Sequence, residues 1–161
     1  MRKFEKISFE QFKKDISDDE KLYESYSLPK RSTKNSAGYD IASLEEYTLK
    51  PGEAHIFVTW LKVTMNSDEV LYLYGRSSFG YKYNITLANS VGVIDSDFYN
   101  NIDNEGHFKV KLINHGEKEV KINIGDRIAQ GVFMKYLIVD NEEKIIKERK
   151  GGLGSTDKEE K

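Results

Sequence analysis

Phe108-Lys-Val-Lys-Leu-Ile-Asn114 and, a short step further on, Val120-Lys-Ile-Asn-Ile124 decide the class of fold. Phe108, Val110 and Leu112 alternate with Lys109 and Lys111, and Val120, Ile122 and Ile124 alternate with Lys121 and Asn123. Successive side chains of a strand point to opposite faces, so each run has one buried and one wet face. Asn114-His115-Gly116 supplies a turn between them, and Gly125-Asp126 another before Ile128–Lys135. Upstream, the same short apolar runs recur at Tyr39–Ala42, Tyr47–Leu49, His55–Met65, Val70–Tyr74, Ile85–Ala88 and Val91–Ile94. Pro51-Gly52 and Asn66-Ser67-Asp68 punctuate them. Short strands with turns at this density predict an all-β domain, a sandwich, jelly roll or small barrel, and not alternating strands and helices.

The rest of the chain bounds that domain. A length of 161 residues with 38% hydrophobic residues supports one core. A net charge of -2 gives no broad cationic footprint, so no nucleic acid is expected as a bulk partner. The absence of cysteine excludes disulfides, thiolate nucleophiles and cysteine-based metal sites, and it suits a cytoplasmic setting. No apolar run approaches the roughly 18 residues that span a membrane, and none follows the charged start as in a signal peptide. Residues 1–24 read as an extension. Ser8 and Gln11 form a capping box, Ile7 and Phe12 a hydrophobic staple, and Phe9, Phe12 and Ile16 one face of a short helix near 9–15. The charged run Asp15–Lys21 reads as a solvated exit. Residues 25–139 make the β domain. From 140 to 161 the pattern fails, and Gly151-Gly-Leu-Gly-Ser-Thr156, preceded by Lys147, Arg149 and Lys150, reads as a mobile arm suited to clamp phosphate. It lacks the spacing of a Walker loop.

Four further stretches carry chemistry. Leu87-Ala-Asn-Ser-Val-Gly-Val-Ile-Asp-Ser-Asp-Phe98 reads as a strand, a bend and a second strand, which would point Asp95 and Asp97 the same way. Gly75-Arg-Ser-Ser78 offers a guanidinium fork, two hydroxyls and a flexible turn, all suited to phosphate oxygens. Ser36-Ala-Gly-Tyr-Asp40 places an acid at a strand start, where it can orient water or a hydrated cation. Gly125-Asp-Arg-Ile-Ala-Gln130 reads as a turn with an Asp–Arg pair entering a strand. Taken singly, each is also what an ordinary turn looks like. His55, His107 and His115 lack metal-ligand spacing and read as surface or satisfied histidines. No nucleophile elbow or histidine-centred triad is present. Carboxylates beside phosphate-binding groups suit metal-assisted attack of water on a phosphate ester or anhydride.

In order, these stretches resemble the five motifs of the homotrimeric all-β dUTPases, over roughly residues 25–156. The resemblance implies a distorted jelly-roll β-barrel whose three sites, built from more than one subunit, hydrolyse dUTP to dUMP and diphosphate with Mg2+. By position it assigns Asp95 as the acid that activates water at the α-phosphorus, with Asp97 a structural neighbour. Asn89 and the backbone of Gly92, Val93 and Ile94 correspond to the uracil edge, and Phe98 to the aromatic platform beneath deoxyribose, a tyrosine in the family. Arg76, Ser77, Ser78, Gln130 and Arg149 fall on triphosphate-binding positions, and Asp40 near the metal, reaching it through water. Leu153, Gly154, Ser155 and Thr156 fall on the arm that closes over the nucleotide.

Three departures stand out. Glu148 holds the usual place of the arm's arginine and Leu153 that of its aromatic. Ser78 replaces a glycine, which puts in question any role needing an unusual backbone angle there. Asn100 stands where a glycine follows the sugar-packing aromatic, and the next glycine is Gly106, which predicts a polar insert over 99–105 beside the site. The long N-terminal extension gives the chain the look of a member from a phage of Gram-positive bacteria. Two alternatives stand beside this reading, an enzyme of the same fold and a phage regulatory module of a different class. The dCTP deaminases also carry Gly-Arg-Ser-Ser, but they need a glutamate where Lys111 stands. A regulatory protein-binding module would use the insert to engage a partner.

Overall fold

The computed structural model describes residues 1–147 and 149–152, and its strands form four antiparallel sheets. The largest runs β2 (Lys30–Arg31), β3 (Tyr39–Ala42), β12 (Arg127–Lys135), β7 (Glu69–Gly75) and β9 (Gly92–Asp95). A second sheet runs β5 (Ala54–Val58), β10 (Lys109–Asn114) and β8 (Ile85–Leu87). Two ribbons pair β1 (Lys3–Lys6) with β6 (Leu61–Thr64) and β4 (Tyr47–Leu49) with β11 (Val120–Ile122). The result is an all-β jelly-roll arrangement in which twist and short strands divide the wall into separate ladders. Its core holds Ile41, Leu49, Phe57, Leu71, Leu112, Ile122 and Ile128 without solvent contact or nearly so. Burying each such side chain contributes about 1.5–3 kcal/mol. The alternation in β10 does what its sequence requires, with Val110 and Leu112 inside and Lys109 and Lys111 outside.

The run His55–Met65, expected as one strand, is two. Trp60 has a φ of 60°, a left-handed value rare for a bulky residue, and it breaks the run between β5 and β6. Tertiary contacts hold the break: Thr59 Oγ1 donates to the Phe108 carbonyl at 2.5 Å, and the Trp60 N–H donates to His107 Nε2 at 3.1 Å. The chain thereby leaves the second sheet and pairs with β1.

Helix α1 (Phe9–Asp15) starts at Ser8, whose Oγ accepts the Gln11 N–H at 3.1 Å. Ile7, Phe12 and Trp60 form a second small core with Phe9, Ile16, Tyr23 and Tyr26 packed around it. The expected solvated exit is only partly so, because it leads into α2 (Glu20–Ser25), capped by Asp19 Oδ1 on the Leu22 N–H at 3.0 Å. A third helix, α3 (Ser77–Tyr83), stands where a flexible turn was expected. No described helix is long and apolar enough to cross a membrane.

Candidate functional site

The stretch Leu87–Phe98 does not form a paired hairpin. Strand β8 bonds to β10, and β9 bonds to β7, so its two arms belong to different sheets. The bend between them is closed by the Ser90 N–H on the Leu87 carbonyl at 3.1 Å, with Ser90 at a φ of 59°. The arms diverge from that bend around a cavity of about 450 Å³, lined among others by Leu87, Asn89, Gly92, Val93, Asp95 and Phe98. Gly92 permits the close approach to β7, since a Cβ there would lie 2.9 Å from Leu73 Cβ. Strand β9 is the last of its sheet, so the backbone groups on its far edge are not used by a ladder.

Asp95 ends β9, whereas Asp97 lies on the single 3₁₀ turn Ser96–Phe98. The two therefore do not share a strand face, and a cation joins them instead. Arg149 donates through Nη2 to Asp95 Oδ2 and through Nε to Asp97 Oδ1, both at 2.9 Å. Its guanidinium carbon also lies 5.7 Å from the Phe98 ring centre. Both carboxylates are about half exposed, so each pair contributes no more than about 1 kcal/mol. Behind the cavity His107 is fully enclosed, with Nδ1 at 2.6 Å from Asp15 Oδ2 and Nε2 accepting from Trp60. Burial lowers its pKa, against the opposing pull of Asp15. It is a satisfied histidine, as read. His55 stacks on Tyr47 beside Glu45, and His115 lies at hydrogen-bond distance from Thr86.

Asp40, Arg76 and Gln130 gather elsewhere. Asp40 Oδ1 meets Arg76 Nη1, and Oδ2 meets Ser32 Oγ and, at 3.1 Å, Arg127 Nη1. Burial would raise the Asp40 pKa, but Ser32, Arg127 and Arg76 together outweigh it and hold the carboxyl below the usual range. The Asp126–Arg127 pair expected from sequence is not formed: Asp126 caps the Asn123 N–H at 2.8 Å, and Arg127 turns to Asp40. Gln130 Nε2 donates to the Gly75 carbonyl at 3.2 Å, and its side chain fills the space a Cβ on Gly38 would need. Three of the five stretches interlock there. Ser77 and Ser78 lie exposed on the first turn of α3, so Ser78 has a helical backbone that requires no glycine.

The register of β7 separates the two groups. Asp95 faces Val70, whereas Arg76 follows the strand's other end, six residues along, a span of about 20 Å at the usual strand rise. Asp95 and Arg76 thus stand at opposite ends of β7.

Residues 99–105, expected as an insert, form a compact turn. Asn100 takes the left-handed conformation, with a φ of 56°, as asparagine can. Gly106, at a φ of 83°, returns against Phe98, where a Cβ would lie 2.6 Å from the Phe98 carbonyl oxygen. Sequence reasoning gave no site role to Ser32 or Asp15 and paired Arg127 with its neighbour instead of Asp40. The expected sites Leu153, Gly154, Ser155 and Thr156, and the departure at Glu148, lie outside the described residues.

Among the described residues no cluster of three or more His, Asp or Glu could hold a metal. Mg2+ keeps waters and phosphate oxygens and needs only one or two carboxylates. Asp40, held ionised beside Arg76, would reach such an ion only through water, because its oxygens are engaged by Arg76, Ser32 and Arg127.

The family model described as dUTPase matches residues 24–157. The chain is 51% identical over 131 residues to a deoxyuridine 5'-triphosphate nucleotidohydrolase of Lactococcus lactis, covering 81% of this chain and 87% of that one. A crystal structure of dUTPase from Streptococcus mutans superposes with a TM-score of 0.69 at 41% identity, over 86% of this chain and 98% of that one. The dUTPase from phage phi11 of S. aureus shares the fold at 20% identity, with a TM-score of 0.66 over 89% of this chain and 96% of that one. With a family model matching residues 24–157 and a relative 51% identical over 81% of its length, this chain belongs to the dUTPase family.

Proposed function

We propose that the chain hydrolyses dUTP to dUMP and diphosphate, with Asp95 as the base for the attacking water. The unpaired edge of β9 beside the cavity carries this reading. Backbone groups of Gly92, Val93 and Ile94, with Asn89 at the mouth, offer a fixed pattern of donors and acceptors to the edge of a pyrimidine. A base with the wrong pattern leaves buried groups unpaired, which selects strongly against it. The sugar then lies over Phe98, whose ring leaves little room for a 2'-hydroxyl.

Water at the α-phosphorus gives its proton to the Asp95 carboxylate as the new P–O bond forms. The bond from that phosphorus to the bridging oxygen breaks, and diphosphate leaves with the electron pair. Arg76, Ser77 and Ser78 hold the phosphates, while Gln130 braces their loop against Gly38 and Gly75. Since Arg76 and Asp95 lie about 20 Å apart in one chain, a partner copy supplies one of them, as a homotrimer with shared sites requires. Asp40 would hold Mg2+ through water, and the bound ion would supply neutralisation of phosphate charge. Arg149, now on Asp95 and Asp97, turns to the phosphates.

Diphosphate release from dUTP, dCTP, dTTP and UTP, for wild type beside Asp95→Asn, tests the reading. Turnover is expected for dUTP alone, with a loss of roughly 10²–10⁴-fold in Asp95→Asn. Rapid dUTP turnover by Asp95→Asn would sink the mechanism, and ammonia released from dCTP would favour a deaminase.

A further inference from the structure

Between Phe98 and Phe108, three side chains reach across to the N-terminal extension. Tyr99 donates its hydroxyl to Glu5 of β1. Glu105 accepts from the Ser8 N–H at 2.9 Å and from the Ser8 hydroxyl. His107, enclosed behind the cavity, meets Asp15 Oδ2 through Nδ1 at 2.6 Å. Ser8 caps the start of α1 and Asp15 is its last residue, so the helix is fastened to this stretch at both ends. The dUTPase family model begins at residue 24, so Glu5, Ser8 and Asp15 all lie outside the part of the chain that it describes. Because Nε2 of His107 accepts the Trp60 N–H at 3.1 Å, the neutral ring carries its proton on Nδ1 and donates it to Asp15. Trp60 closes the same joint with its ring, which meets Phe12 of α1 edge-on at 4.8 Å between centroids. A left-handed backbone is disfavoured for so bulky a residue, and here it lets the ring seat the extension while the N–H holds His107.

We infer that the N-terminal extension is part of the framework of the sugar site, with Asp15 as a positioning residue that holds His107 and, through it, the turn that carries Phe98. This rests on the reading of Phe98 as the platform beneath deoxyribose. The link from His107 to Phe98 is short and close-packed. Gly106 lies next to His107 in the chain and approaches the Phe98 carbonyl so nearly that a Cβ would stand 2.6 Å from its oxygen. The same carbonyl accepts from Asn101 Nδ2 at 2.8 Å, and the Asn100 N–H closes the turn on the Glu105 carbonyl at 2.9 Å. A displacement of Glu105 or His107 is therefore passed to the backbone that aims the Phe98 ring. Exclusion of a 2'-hydroxyl is steric, so it depends on how firmly that ring is held, and a site residue is only as well placed as the shell behind it. The extension supplies that shell from outside the shared domain.

The test compares Asp15→Ala, which removes the acceptor of His107, with Asp15→Asn, which keeps a neutral one, both in the full-length protein. Without nucleotide, amide hydrogen exchange over residues 98–107, read by mass spectrometry, should be about 2- to 10-fold faster in Asp15→Ala, the range of one net hydrogen bond, and nearer wild type in Asp15→Asn. The preference for dUTP over UTP, as the ratio of their kcat/KM values, should fall by a similar factor in Asp15→Ala and recover in Asp15→Asn. Tyr99→Phe removes only the bond to Glu5; it should move both readouts the same way, and it carries the test if Asp15→Ala does not fold. Unchanged exchange would overturn the inference. So would a lowered melting temperature with an unchanged dUTP-to-UTP ratio, which would leave Asp15 a stabilising residue and no more. A wild type that does not turn over dUTP would refute the catalytic reading, while the exchange comparison would still decide whether the extension holds the turn.

Discussion

Arg149 lies across Asp95, with Nη2 2.9 Å from Oδ2 of the carboxylate proposed to take a proton from water. The guanidinium occupies the oxygen that would take that proton, so the pair has to part before chemistry. A triphosphate offers a denser anion in the same cleft, and a guanidinium fork bonds it bidentately. The account therefore has Arg149 exchange Asp95 and Asp97 for phosphate oxygens when dUTP binds.

Removing the side chain should cost more in catalysis than it returns by freeing Asp95. Arg149→Ala is expected to lower kcat/KM for dUTP by about 10–100-fold, the weight of one well-placed charged contact in a closed site. Steady-state kinetics would show it. Arg149→Lys should recover only part, because a point charge cannot span two carboxylates or two phosphate oxygens. Equal kinetics in wild type and Arg149→Ala would mean that the arm plays no part in turnover.

The buried His107 gives stability a pH dependence of known sign. Burial, the largest influence, favours its neutral form, in which Nε2 accepts the Trp60 N–H; Asp15 opposes this and falls short. The folded chain then binds fewer protons than the unfolded one just below the usual histidine value of about 6.5, so stability rises with pH in that window and is lost as pH falls through it. The lowered carboxylates Asp15 and Glu105 act in the same direction but nearer pH 4. Urea unfolding of wild type should weaken from about pH 6.5 to 5, and His107→Gln should flatten that slope. Trp60, the single tryptophan, reports the transition by fluorescence.

How much of this was legible beforehand follows from the range of each signal. Tyr39–Ala42 and Tyr47–Leu49 match β3 and β4, because alternation and turn residues are local. Strand β1 reads Lys-Phe-Glu-Lys, with one apolar residue, and an edge strand of that kind looks like a charged tail. Helix α3 buries no residue and contains Gly80, so it has no amphipathic period to read. The divergence of β8 and β9 was hidden for another reason: Asn-Ser-Val-Gly marks a bend, but nothing local says which strand each arm will pair with. The break at Trp60 has no Gly or Pro to announce it, since Thr59, His107 and Phe108 impose it from across the fold. The pairing of Arg127 with Asp40 and of Asp15 with His107 needed the folded chain.

The central claim, one site built from Asp95 of one chain and Arg76 of another, is tested most directly by subunit complementation. Asp95→Asn and Arg76→Ala are each expected to be inactive alone. Unfolded together in equal amounts and refolded, they should regain about a quarter of wild-type dUTP turnover, the fraction of shared sites that draws both intact residues when chains assort at random. A mixture as inactive as its parents, although mixed trimers had formed, would contradict the account and place the whole site within one chain.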